Sequence, residues 1–194
     1  MNESKLDVKK RAVIEIAENL FLSQGLATTE MKEIARCASI SRSTLYRMFD
    51  SRETLAFAVA DKCLHELFDP KPMEIYGTDR SGFEILRSYS SNLIETMIQG
   101  VRYVKYLSEF DQMFSGDYPD TPEARKYVQF NRQRHDRQIL LNILRLGTED
   151  GSIRGDIDAN MLELTIGNTL LGDNGYTPTV TAQRLKCSII NIKV

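Results

Sequence analysis

The chain has 194 residues, 42% of them hydrophobic and 27% charged, which excludes a disordered polymer and gives enough apolar mass for a core without disulfide or metal staples. A net charge of −2 excludes a uniformly polycationic chain, so any nucleic-acid contact has to come from a local concentration of basic residues. The N-terminus, MNESKLDVKK, lacks an apolar run behind its lysines, and no segment approaches the roughly 18 uncharged apolar residues of a membrane span; a cytoplasmic protein with no membrane partner is expected.

The charge is unevenly spread. Residues 1–60 carry nine Lys/Arg against eight Asp/Glu, whereas residues 61–194 carry sixteen against nineteen. Between Arg36 and Arg52 four arginines stand against one acid, Asp50. Three widely spaced cysteines, Cys37, Cys63 and Cys187, form no C-x-x-C pair and read as small core residues.

From Val8 to Gln24, the apolar residues Val13, Ile16, Ala17, Leu20 and Phe21 fall on one face of a helix, which Gly25 ends. A short helix is expected from Thr29, its hydroxyl acting as N-cap, with Met31, Ile34, Ala35 and Ala38 as its buried stripe. After the break Ala38-Ser39-Ile40, Ser41 caps a second short helix to about Phe49, and two brief helices joined so tightly must cross steeply. Ser51 caps a longer helix carrying Leu55, Val59, Cys63 or Leu64, and Leu67, expected to stop near Asp69-Pro70. Residues 69–79, with two prolines and a glycine, read as a linker. Helices are then predicted at about 80–99 and 101–114, and a long one from Thr121-Pro122 to about 149. A turn follows at GSIRGDID, and further helices at about 158–172 and 180–192. No strand-like alternation or internal repeat appears, so the fold class is all-α.

The segment FLSQGLATTEMKEIARCASISRSTLYRMFDSRETL, Phe21 to Leu55, carries the functional signal. In the helix from Ser41, one side is apolar, with Leu45, Met48 and Phe49 able to pack on Ile34, Ala35 and Ile40. The other presents Arg42, Ser43, Thr44, Tyr46 and Arg47. A short, cationic, hydroxyl-rich face suits the DNA major groove, since Arg pairs bidentately with guanine and hydroxyls reach bases or phosphates.

This stretch resembles the DNA-binding head of TetR-family regulators. The resemblance lies in Phe21 and Gly25, Thr29, Ile34-Ala35, Ser41, Thr44-Leu45-Tyr46, Phe49, Glu53 and Leu55. It implies phosphate contacts from Thr29, Ser41, Thr44, Tyr46 and Arg52, and base contacts from Arg42, Ser43 and Arg47. Ser39 stands where the family's turn usually has glycine, and so calls for a left-handed serine or a different bend. Met48 replaces a common aromatic or histidine, and Arg52 a lysine.

The resemblance also implies an organisation: residues 1–52 as helix-turn-helix domain, 53–79 as connecting helix and linker, and 80–194 as a ligand-sensing and dimerisation bundle. It implies a homodimer on a palindromic operator in double-stranded DNA, released by a small-molecule effector, with no cofactor and no metal. Effector-pocket candidates are Tyr89, Met97, Tyr103, Phe110, Met113, Phe114, Tyr127 and Phe130, with Asn131 and His135 as polar anchors; core packing is the competing role for most of them, and an exposed, inert histidine in the polar run NRQRHDRQ for His135. The dimer face would comprise Met161, Leu164, Leu170, Leu171, Leu185 and Ile189, with core packing again the alternative. An enzyme is not expected, because the chain has two histidines, no nucleophile elbow, no phosphate loop and no metal-ligand cluster. The rival function is an architectural or protein-partnered DNA binder that answers to no ligand.

Overall fold

The computed structural model describes residues 5–68, 79–114, 118–132, 135–156 and 158–162, with backbone alone at 132 and 135–137. They form α1 (Lys5–Gln24), α2 (Met31–Cys37), α3 (Arg42–Phe49), α4 (Arg52–Phe68), α5 (Gly82–Gln99), α6 (Val101–Met113), α7 (Pro122–Arg132) and α8 (His135–Glu149). No strand occurs among the described residues, and the expected all-α class stands. The single long helix expected from Thr121 is seen as α7 and α8, with 133 and 134 outside the described residues. The same holds for residues 69–78 of the linker and for all but the first turn, 159–162, of the two C-terminal helices.

Packing divides the chain into two units that cut across chain order. The first takes α1 to α3, α4 up to Glu66, α6 and α7; the second takes α5, α8 and the turn after it.

In the first unit, α1 buries Val13, Ala17 and Phe21 and closes at Gly25, whose φ of +94° is the left-handed conformation glycine adopts without strain. One expectation fails here: α2 begins at Met31, with Glu30 as an N-cap that makes no side-chain capping bond. Thr29 is fully buried and its Oγ1 donates backwards to the Gly25 carbonyl at 2.8 Å. A buried hydroxyl left unpaired costs about 1–3 kcal/mol, and the carbonyl exposed by the Gly25 turn is the partner in reach. Met31, Ile34 and Ala35 are buried as expected, but Cys37 is exposed, because it ends α2 on the side away from that stripe.

Ser39 takes the left-handed conformation that the missing glycine demands, with φ +53°. The turn is closed by Ser39 N–H to Arg36 O at 3.1 Å and Ile40 N–H to Ala35 O at 3.0 Å. Ser51 caps α4, accepting from Thr54 N–H at 3.1 Å. From Thr54 to Ala60 every residue of α4 is buried, so this helix is covered on all sides. The Phe57 ring lies 4.8 Å from Phe110 and 5.7 Å from Tyr127, which brings α6 and α7 onto α4. On α1, Glu18 pairs with Lys62 of α4.

In the second unit, α5 opens with a capping box between Ser81 and Glu84. Its free amides are also taken from outside: Gly82 N–H donates to Asp150 Oδ2 at 2.6 Å and Phe83 N–H to Ser152 Oγ at 3.0 Å. The α5 and α8 backbones approach so closely here that a Cβ on Gly82 would stand 2.3 Å from the Gly147 Cα.

Two stability measurements test these local readings. Ser39→Gly removes left-handed strain and should raise unfolding stability by about 0.5–1 kcal/mol in urea titration; a loss would mean that the serine side chain sustains the turn. Gly82→Ala should destabilise by about 1–3 kcal/mol, although helix propensity alone predicts a gain, because the atom it meets is backbone and has nowhere to go.

Candidate nucleic-acid interface

The Ser41 backbone is extended, and its Oγ accepts from Thr44 N–H at 3.1 Å, which starts α3. The same Oγ lies 2.9 Å from Ser43 Oγ and 2.8 Å from Thr44 Oγ1. These three hydroxyls therefore form a chain at the helix start whose rotatable protons can turn to an incoming anion. Behind them Leu45 and Phe49 are 0% and 1% exposed and Met48 is buried. The opposite face is open: Arg42, Ser43 and Arg47 are exposed, Tyr46 retains 46% of its surface, and Thr44 is half-buried. Seven predicted contact residues, Ser41, Arg42, Ser43, Thr44, Tyr46, Arg47 and Arg52, thus keep solvent access on or beside one short helix.

Arg52 is half-buried, and its Nη1 donates to the Ala27 carbonyl at 3.2 Å. It braces the loop between α1 and α2, with other guanidinium donors left over. Thr29 does not join the group: with no exposed surface and its hydroxyl spent on Gly25, its side chain supports the loop and has no access to a phosphate. Glu30, an acid near this surface, is held below the usual carboxylate range, first by its hydrogen bond to Lys32 and then by that lysine's charge, with Arg42 adding to it. The Lys32 Nζ stands 2.7 Å from Glu30 Oε2, so the acid is locally offset.

The frame behind α3 includes contacts that sequence reasoning missed. Phe21 stacks on Tyr106 at 6.0 Å, and the Tyr106 hydroxyl donates to the Ala56 carbonyl at 2.9 Å. Burial pushes that phenol well above its usual range, so it is a permanent donor. Glu109 Oε2 accepts from Leu26 N–H at 3.3 Å. Residues 83 positions apart share no local pattern, which is why neither periodicity nor motif reveals the pair.

The effector-pocket candidates fall in both units. Phe110 and Tyr127 are buried against Phe57, and Phe114 is half-buried 5.0 Å from the same ring. Tyr103 accepts a hydrogen bond from Arg102 at 2.7 Å, and the Phe130 ring lies 3.8 Å from that of His65. Met113 and Asn131 are exposed. Tyr89 and Met97 are buried in the second unit. A cleft of about 450 Å³ at the start of α7, lined by Tyr118, Pro119, Val128 and Gln129 among others, contains none of the candidates. Of the predicted dimer face, Met161 is 64% exposed; Leu164, Leu170, Leu171, Leu185 and Ile189 lie outside the described residues. Among the described residues, no group of acidic, histidine or cysteine side chains is arranged to hold a metal, and no helix is long and apolar enough to cross a membrane.

Comparison with known proteins points the same way as the geometry. The family model for bacterial regulatory proteins of the tetR family matches residues 13–59. The HTH-type transcriptional repressor KstR2 of Rhodococcus jostii is 28% identical over 157 residues, 79% of this chain and 72% of that protein. Among solved structures, the ketosteroid transcriptional regulator KstR2 of Mycobacterium tuberculosis matches with a TM-score of 0.58 at 20% identity, covering 100% of this chain and 97% of that one. A transcriptional regulator from Saccharomonospora viridis in complex with choline gives 0.66 at 19% identity, covering 95% and 97%. At such identities the structural likeness speaks for the fold alone. The span of the family model, from within α1 to the middle of α4, is the stretch whose packing turns α3 outward, and over that stretch the chain is similar to the bacterial regulatory proteins of the tetR family.

Proposed function

We propose that this protein is a cytoplasmic repressor that binds a pseudo-palindromic operator as a homodimer through α3 and is released by a small-molecule effector. The observation that carries the reading is the division of α3 into a face sealed by Leu45 and Phe49 and a face on which Arg42, Ser43, Tyr46 and Arg47 meet solvent. In this reading Arg42, Ser43 and Arg47 face base edges, while Ser41, Thr44, Tyr46 and Arg52 hold phosphates. Functionally, residues 1–52 read DNA, 53–79 connect, and 80–194 sense and dimerise.

Support for repression comes from the named repressor among the relatives, and support for an effector from the choline-bound neighbour. A single helix-turn-helix reads few base pairs, so selectivity requires two, with recognition helices roughly 34–36 Å apart, one turn of B-DNA, or a multiple of that. An effector that changes this spacing lowers affinity, and a 100-fold loss corresponds to about 2.7 kcal/mol of coupling.

Selection from random duplexes should return a two-fold-related sequence, and a single asymmetric half-site would contradict the dimer. On the selected site, Arg42→Ala should cost about 1–3 kcal/mol and relax base preference at one position of each half-site; equal loss on all sequences would remove Arg42 from base reading. Tyr46→Phe should weaken selected and unrelated duplexes alike, since its partner is a phosphate, and unchanged affinity would strike it from the contacts. If no small molecule in a broad metabolite screen shifts operator affinity, the ligand-independent DNA binder becomes the better account.

A further inference from the structure

The most basic part of the first helix lies outside the surface described so far. Residues 5–11, KLDVKKR, hold Lys5, Lys9, Lys10 and Arg11 against Asp7. Lys10 and Arg11 are engaged within the protein. The Lys10 Nζ stands 5.4 Å from the centre of the Phe49 ring and 3.6 Å from Glu123 Oε1. These contacts do two things. They neutralise Lys10, and they pin the second turn of α1 beside the last residue of α3, one turn from Tyr46.

Lys5 and Lys9 are different, being exposed and outside any ion pair among the described residues. At 3.6 residues per turn, Lys9 lies about 180° around α1 from Glu18 and Lys5 about 140° from it. Glu18 marks the α4 side through its pair with Lys62, so both lysines point away from α4. Lys5 is only about 7.5 Å along the axis from Lys10, within the neighbourhood fixed by the Phe49 contact. Two free ammonium groups a helical turn apart, held next to a groove-reading helix in a chain of net negative charge, have an obvious counter-charge in the phosphates of the same duplex.

We propose that Lys5 and Lys9 form a second DNA contact, independent of sequence, that grips the phosphate backbone flanking the stretch read by α3. The contact rests on the DNA-binding reading above and adds affinity without adding base preference, because an ammonium is a point charge with no planar fork to match a base edge.

The test needs no operator. Full-length protein is titrated against a 30-base-pair mixed-sequence duplex, roughly three helical turns, by fluorescence anisotropy between about 50 and 200 mM salt. Three forms are compared: wild type, Lys5→Gln/Lys9→Gln, and Lys105→Gln/Arg125→Gln, which removes the same charge from α6 and α7. Each phosphate contact contributes about 0.9 to the slope of log affinity against log salt, so the first variant should lose about 1.8 of slope. Its deficit at 50 mM should then exceed that at 200 mM by about 12-fold. The α6/α7 variant should keep the wild-type slope, and melting temperatures should agree because all four residues are at the surface. An unchanged slope in the Lys5/Lys9 variant overturns the contact, as does an equal loss in the α6/α7 variant, which would reduce the effect to net charge. Wild type that binds no duplex at 50 mM overturns the DNA-binding reading itself, whereas binding with an unaltered slope overturns only the lysine contact.

Discussion

The reading surface depends on Leu45 and Phe49 being held from behind. Eight residues are too few for a helix to persist alone in water, where about 12–15 are needed even for favourable sequences. The Ser41 cap contributes about 1 kcal/mol, and burying each of the two anchors about 1.5–3 kcal/mol. The polar face of α3 makes no such contribution. It exists as a surface because its back is packed, and Arg42, Tyr46 and Arg47 are presented in a fixed array only while that packing holds.

Local order was legible from local signals. The end of α1 at Gly25, the caps at Ser41 and Ser51, and the left-handed bend at Ser39 are each set by a residue whose steric or hydrogen-bonding character is visible one position at a time. The errors came where two nearby partners competed. Thr29 looks like a cap for the helix after it, but the carbonyl four residues earlier, released by the glycine turn, claims its hydroxyl. Cys37 looked like core because cysteine usually is, yet it falls past the buried stripe of a seven-residue helix. The association of α6 and α7 with the first helices is carried by rings and a carboxylate far apart in sequence, and no window of the chain contains both halves of any such contact.

The candidate site divides along the same line. The face of α3 could be read because a helix of known phase has only two sides, and one of them was plainly apolar. The effector pocket could not be read in this way, since an aromatic ring lining a ligand cavity and one filling a core obey the same burial preference. Phe110 and Tyr127 illustrate it: both are packed on Phe57, a residue that the expected stripe of α4, with Leu55, Val59 and Leu67, leaves out.

The all-round burial of Thr54 to Ala60 has a consequence for genetics. Interiors packed to crystal-like density do not absorb a changed volume locally, so a substitution in this run disturbs α6 and α7 and, through Tyr106, Phe21 of α1 together. Alleles here would behave as pleiotropic ones, losing grip on the promoter without touching a nucleotide, and they would map to the middle of the protein instead of to its reading helix. A collection of loss-of-control mutants should therefore be sorted by solvent access before any of them is assigned to recognition.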